Sequence, residues 1–213
     1  MNTNLYSLGL MSGTSLDGID VSIIKSDGEQ YLEIIDNLYL EYDNPLKLKL
    51  KKIIDLCSSK NKLTKTAKKI KELEKELTLC HAKAYKLITK KNKNIKIDLI
   101  GFHGQTILHR PQKGYTIQIG DSKLLLKITN TTVVSNFREN DILNGGQGAP
   151  LAPIYHQLIL TKIKSKTPSA VINIGGISNI TYIGKNNKMF SFDTGPGNYL
   201  IDKWVRDKAK KEF

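Results

Sequence analysis

A polar run of small residues, Ser12, Gly13, Thr14, Ser15, Leu16, Asp17, Gly18, Ile19 and Asp20, separates two apolar segments near the start of the chain. Its residue types suit a phosphate. Gly13 and Gly18 let backbone N–H groups approach an anion with no Cβ in the way. Thr14 and Ser15 add hydroxyl donors, and Asp17 or Asp20 can order a hydrated Mg²⁺ beside the phosphate charge. The run is not a Walker loop, because it lacks Gly-Lys-Ser/Thr and no helix follows it directly. The same residues also make an ordinary hairpin turn. Taken alone, the run leaves both readings open.

Three further stretches carry reactive side chains in confined loops. In "DTGPGN", glycines flank Pro196, a stiff setting in which Asp193 can hold a carboxylate over a cleft or cap the helix that follows. "GFHGQT" puts His103 and Gln105 at an expected strand end, where ligand-facing residues of open α/β sheets gather. "FRENDILNGGQGAP" brings Arg138 and Gln147, suited to a polar sugar or a carboxylate, or simply a long connection between helices. His81, His109 and His156 have no suggestive neighbours and read as structural.

The elements that must position these loops follow from periodicity. Residues 5–11, 19–25 and 31–42 read as strands. Asn44-Pro45 opens a helix with Asn44 as its cap, and Leu46, Leu50, Ile53, Ile54 and Cys57 keep helical spacing. A longer helix is expected from Thr64, with Ala67, Ile70, Leu73, Leu77, Ala84, Leu87 and Ile88 as its apolar stripe. Strands follow at 95–102, 115–121 and 131–137, with a helix from Ser122 and another over 151–164. "AVINIGGISNITYIG" then makes strand, Gly-Gly turn and strand, and the chain closes with a strand, the Asp193 loop and a helix. This order is an α/β plan. The polar glycine turn between strands recurs about 160 residues after its first appearance. Two related halves, each with a phosphate-facing hairpin, would bracket a nucleotide.

Composition narrows the partners. The 213 residues contain 39% hydrophobic and 25% charged side chains, ordinary for a globular protein. The net charge of +13 invites a nucleic-acid reading, but only Arg110, Arg138 and Arg206 are arginine. Nucleic-acid recognition leans on the arginine fork, and here the lysines spread along helices without aromatic partners. Solvated helix faces explain them, and no nucleic-acid partner is expected. There is no run of eighteen apolar residues and no secretory pattern at the start, so no membrane partner is expected either. Cys57 and Cys80 have no metal-type spacing and suit a reducing compartment.

Taken together and in order, "GLMSGTSLDGID", "GFHGQT", "TIQIGD", "GGQGAPLAP", "NIGGISN" and "DTGPGN" resemble the anhydro-N-acetylmuramic acid kinases, across positions 9 to 198. The resemblance implies an actin-like, sugar-kinase-type (ribonuclease H-like) ATPase fold, with a first domain over 1–166 and the beginning of a second over 167–213. It implies a cytoplasmic reaction of peptidoglycan recycling: ATP, water and 1,6-anhydro-N-acetylmuramic acid give N-acetylmuramic acid 6-phosphate and ADP. Gly13 through Asp20 would bind the ATP phosphates and Gly175-Gly176 would form the second phosphate turn. Asp193 would be the general base. His103, Gln105, Arg138 and Gln147 would lie on the sugar side, with Mg²⁺ held through water by Asp17 and Asp20. The expected partners are the sugar and ATP, and the reading leaves room for a homodimer.

Two departures stand out. Asn136 in "SNFR" replaces a carboxylate frequent in the family, and the chain stops at Phe213, well short of the family's second domain. A truncated chain is therefore expected. The competing reading is a non-catalytic remnant that binds sugar or a partner without turnover.

Overall fold

Alternating apolar residues make the first three strands. In β1 (Leu5–Ser12), Leu8, Leu10 and Ser12 face inward, and in β2 (Gly18–Ser26), Ile19, Val21 and Ile23 do the same. β3 (Leu32–Glu41) completes an antiparallel meander. The computed structural model describes residues 4–57 and 60–209. By compactness the chain divides into two units, Met1–Gly145 and Gly146–Phe213.

In the first unit, α1 (Asn44–Leu56) and α2 (Lys60–Lys91) follow the meander. Next come β4 (Leu99–Arg110), β5 (Tyr115–Ile119), α3 (Ser122–Thr129), β6 (Thr132–Val134) and α4 (Phe137–Leu143). The sheet order is β3-β2-β1-β4-β5, and β6 pairs in parallel with the first residues of β4. β4 runs parallel to β1, so helices must carry the chain back between them. Leu50 of α1 and Leu77, Ala84 and Ile88 of α2 are fully buried with Leu8, Ile19, Ile23 and Ile100 of the sheet. Burying each large aliphatic of this set contributes about 1.5–3 kcal/mol.

Several expectations change in detail. The cap of α1 is Asp43, whose carboxylate accepts from the Leu46 N–H, rather than Asn44. The long helix starts at Lys60, before Thr64, and Ala67 and Leu87 of its expected apolar stripe are exposed. His81 takes a place in the buried stripe instead. The Lys-rich face of α2 is exposed as expected. Among the described residues no helix is long and apolar enough to cross a membrane. "FRENDIL" forms the short helix α4 where a loop is expected. It starts from Asn136, which holds a left-handed backbone (φ 62°) and makes no side-chain cap bond.

The largest change concerns β4, which begins at Leu99 and continues through "HGQT" to Arg110 because β5 pairs with that half. Its pairing with β1 steps from Leu10–Phe102 to Met11–Gly104, so His103 is the extra residue of a β-bulge. Gly104 makes the bulge possible. Its φ is +67°, and a Cβ there would sit 2.3 Å from the Ile119 carbonyl oxygen. Gly104→Ala is therefore expected to lower stability by about 3 kcal/mol or more, the left-handed penalty adding to the overlap. Denaturant unfolding measures it.

The second unit contains α5 (Pro153–Lys162), an antiparallel sheet of β7 (Ser169–Ile174), β8 (Ile177–Ile183) and β9 (Met189–Pro196), and α6 (Tyr199–Ala209). Residues 146–166, which the sequence reading assigns to the first domain, group with this sheet. The His156 imidazole of α5 bonds the buried Thr181 hydroxyl of β8 at 2.8 Å, and that hydroxyl bonds Ser191 of β9. The other face of the sheet exposes Ile172, Ile174, Phe190 and Phe192.

Candidate functional site

The loop between β1 and β2 is held at both ends from beneath. Gln105 Nε2 donates to the Gly13 carbonyl at 3.1 Å, and the Tyr42 backbone N–H donates to the Asp17 carbonyl at 2.9 Å. The Asp17 carboxylate accepts from the Ser15 hydroxyl at 2.5 Å and the Gly18 N–H at 3.0 Å, closing a local turn. Leu16 takes a left-handed backbone, φ 60°. The hydroxyl-bearing residues Thr14 and Ser15 are exposed. The loop is thus a fixed turn whose polar tip faces solvent.

Behind the loop, on the sheet face opposite α1 and α2, lies a cavity of about 640 Å³. Gly9 and Gly101 sit side by side on β1 and β4 and form its floor, with Asp20, Tyr39, His103 and Phe137 among its walls. Partial burial, and then the neighbouring Asp17, push the Asp20 carboxyl up from its ordinary value. Burial first, then the charges of Asp17 and Glu41, push the Tyr39 hydroxyl up to about 12. Mg²⁺ commonly takes one or two carboxylates and completes its shell with water and phosphate oxygens. Asp20 fits that part, because a cation would relieve its repulsion with Asp17. One oxygen of Asp17 is already committed to the loop.

His103 and Arg138 meet on the same face of the sheet. Arg138 Nε donates to His103 Nε2 at 2.7 Å, so His103 carries its proton on Nδ1 and donates it to the Gly104 carbonyl. Burial first, and Arg138 second, lower the imidazole to about 4. Arg138 supplies the positive charge here, with a neutral histidine as its acceptor.

The remaining sequence-derived residues lie in the second unit. The Gly175-Gly176 turn is zipped to the "GPGN" loop: Gly197 N–H donates to Gly176 O and Asn198 N–H to Gly175 O, both at 2.9 Å. A Cβ at Gly197 would lie 2.1 Å from the Gly175 carbonyl oxygen, so only glycine fits. Asp193 sits within β9 rather than beyond it, paired across from Asn179, which pairs with Asn173. Its side chain and Gln147 are exposed.

The family model of the anhydro-N-acetylmuramic acid kinases matches residues 5–213. The chain belongs to this family. The kinase of Pelagibacter ubique is 51% identical over 209 residues, 97% of this chain and 56% of its own length. Those of Agrobacterium fabrum and Rhizobium etli are 42% and 44% identical, again over 97% of this chain and 57% of theirs. The chain thus spans a little over half the length of the curated kinases it matches. Among solved structures, the Aquifex aeolicus Ppx/GppA family member covers 94% of this chain and 54% of its own at 12% identity. Its TM-score of 0.42 makes that a looser likeness than the kinase match, and it adds nothing to it.

Set beside the kinase motifs, the geometry adds three residues that sequence reasoning left without a role. Ser12 and Tyr42 lie under the loop, and Tyr39 stands near enough to Asp17 to feel its charge. A signal existed for Ser12: the alternation of Leu8, Leu10 and Ser12 places a hydroxyl at a core-facing position. Gln105 bears its side chain inward, fully buried, among these residues.

Proposed function

We propose that this chain carries phosphate- and sugar-binding elements of an ATP-dependent anhydro-N-acetylmuramic acid kinase. In that reaction water opens the 1,6-anhydro bridge and the freed O6 takes the γ-phosphoryl group, giving N-acetylmuramic acid 6-phosphate and ADP. The observation that carries this reading is the family match over residues 5–213. The anchored turn at Gly13–Gly18, with its exposed Thr14 and Ser15, supports it.

In this reading residues 13–20 and the Gly175-Gly176 turn hold phosphate oxygens through backbone N–H groups. Asp20, with Asp17 and through water, holds Mg²⁺, which would neutralise phosphate charge. Asp193 takes the proton of the attacking water. Arg138, fixed by His103, and Gln147 face the sugar, whose carboxylate suits the guanidinium. The frame is the actin-like one implied by the sequence resemblance, and its ATP requirement places the reaction in the cytoplasm.

The test is an ATP-dependent phosphorylation assay on 1,6-anhydro-N-acetylmuramic acid, run on this chain and on Asp193→Asn. Product from the first alone supports the kinase. Absence of product from both, with sugar binding retained, favours a binding-only protein.

A further inference from the structure

The buried side chains under the β1–β2 loop form a single directed chain of hydrogen bonds. Ser12 has one hydroxyl proton, and it goes to Gln105 Oε1. The 2.7 Å contact between Ser12 Oγ and Tyr42 OH must then be a donation from Tyr42 to Ser12. Gln105 turns the chain around. With its oxygen occupied by Ser12, its Nε2 donates to the Gly13 carbonyl at 3.1 Å and, at 3.4 Å, to the Thr106 carbonyl. That pattern also settles which end of the amide is nitrogen. Ser12 and Gln105 are 1% and 0% exposed and Tyr42 is 3% exposed, so no water competes for these bonds. Burial pushes the Tyr42 phenol above its ordinary range, which keeps its proton in place.

The consequence falls on the loop's backbone. A trans peptide is planar, so the carbonyl of one residue and the N–H of the next point in opposite directions. Gln105 draws the Gly13 carbonyl inward and thereby turns the Thr14 N–H outward, beside the exposed Thr14 and Ser15 hydroxyls. On the far side, Tyr42 draws the Asp17 carbonyl inward. We propose that Gln105 is a positioning residue that aims the Thr14 amide at a phosphate oxygen of the bound nucleotide, rather than a residue that touches the sugar. The proposal rests on the phosphate-binding reading of this loop. It gives Gln105 a role that its own side chain, sealed from solvent, performs through the backbone.

Two variants separate aiming from mere stability. Gln105→Met keeps the volume and removes the side-chain N–H that draws the Gly13 carbonyl inward, leaving that carbonyl only the longer 3.4 Å turn bond from the Leu16 N–H. Tyr42→Phe deletes a buried hydrogen bond of the same network but leaves the Gln105–Gly13 bond intact. Gln105→Met also loses the Ser12 and Thr106 bonds and should cost more stability than Tyr42→Phe, which removes one buried hydrogen bond, so binding is compared under conditions where both variants are folded. Titration with ATP·Mg²⁺, followed by the amide resonance of Thr14, reads their difference. In the unaltered chain the Thr14 resonance should shift on titration. Gln105→Met should weaken binding about tenfold, the effect of roughly one hydrogen bond, while Tyr42→Phe should stay within a few-fold. Equal weakening in the two variants, or undiminished binding by Gln105→Met, would overturn the proposal. So would nucleotide binding by the unaltered chain that leaves the Thr14 resonance unmoved. Failure of the unaltered chain to bind nucleotide would instead remove the phosphate reading itself, and this proposal with it.

Discussion

Asp193→Asn should lower turnover about 10²–10⁴-fold, the usual contribution of a general base, while leaving ATP affinity unchanged. Asparagine keeps the size of the side chain but cannot accept the proton of an attacking water. Cross-strand partners share a face of a sheet, so Asp193 stands in a row with Asn179 and Asn173, on the face where His156 bonds Thr181. Its carboxylate is exposed, as the proposed activation of a water requires. The Gly197 N–H bonded to Gly176 fixes the loop that follows it. Single-turnover rates on both proteins, with KM for ATP measured in parallel, decide the matter. A variant that turns over within a few-fold of the parent would remove Asp193 from the chemistry.

The second large effect is on stability in acid. His81 is fully buried on α2, bonded through Nδ1 to the Leu77 carbonyl at 2.9 Å and set edge-on against Phe102 with ring centroids 5.0 Å apart. Its Nε2 has no hydrogen-bond partner among the described residues. Burial, chiefly, lowers His81 to about 4, and His103 is lowered to about 4 by burial and then by Arg138. Both folded-state values lie below the ordinary 6.5, so the unfolded chain binds more protons between those limits. Stability is therefore fully present above about pH 6.5 and falls as the pH drops toward 4. The displacement is worth roughly 3 kcal/mol per histidine at full effect. Urea unfolding across this range should show the midpoint falling steeply. His81→Leu should flatten part of that fall and cost little near neutrality, because it removes that buried nitrogen. An unchanged slope in that variant would refute the assignment to His81.

Much of the molecule was legible from local pattern. The strand–loop–strand opening, the two long helices and the second hairpin all follow from side-chain period, which is a property of neighbours in the chain. The kinase family was legible too, because its six motifs are short, contiguous and rich in glycines whose backbone roles restrict substitution. The short helix α4 escaped because "FRENDIL" has two turns and no side-chain cap.

Only tertiary structure decided the orientation of the "GFHGQT" residues. Strict alternation puts His103 and Gln105 on one face, both toward a ligand. The bulge at His103, admitted by the left-handed Gly104, shifts the phase by one residue. His103 then lines the cavity with Arg138 as its donor, while Gln105 turns into the core to meet Ser12 and Gly13. A bulge arises from pairing with β1 and β5, strands distant in the chain, so residue types along β4 could not announce it. The sequence by itself determined which chemical groups are present and which family they belong to. The pairing of distant strands decided which of those groups reach solvent and which hold the backbone that does.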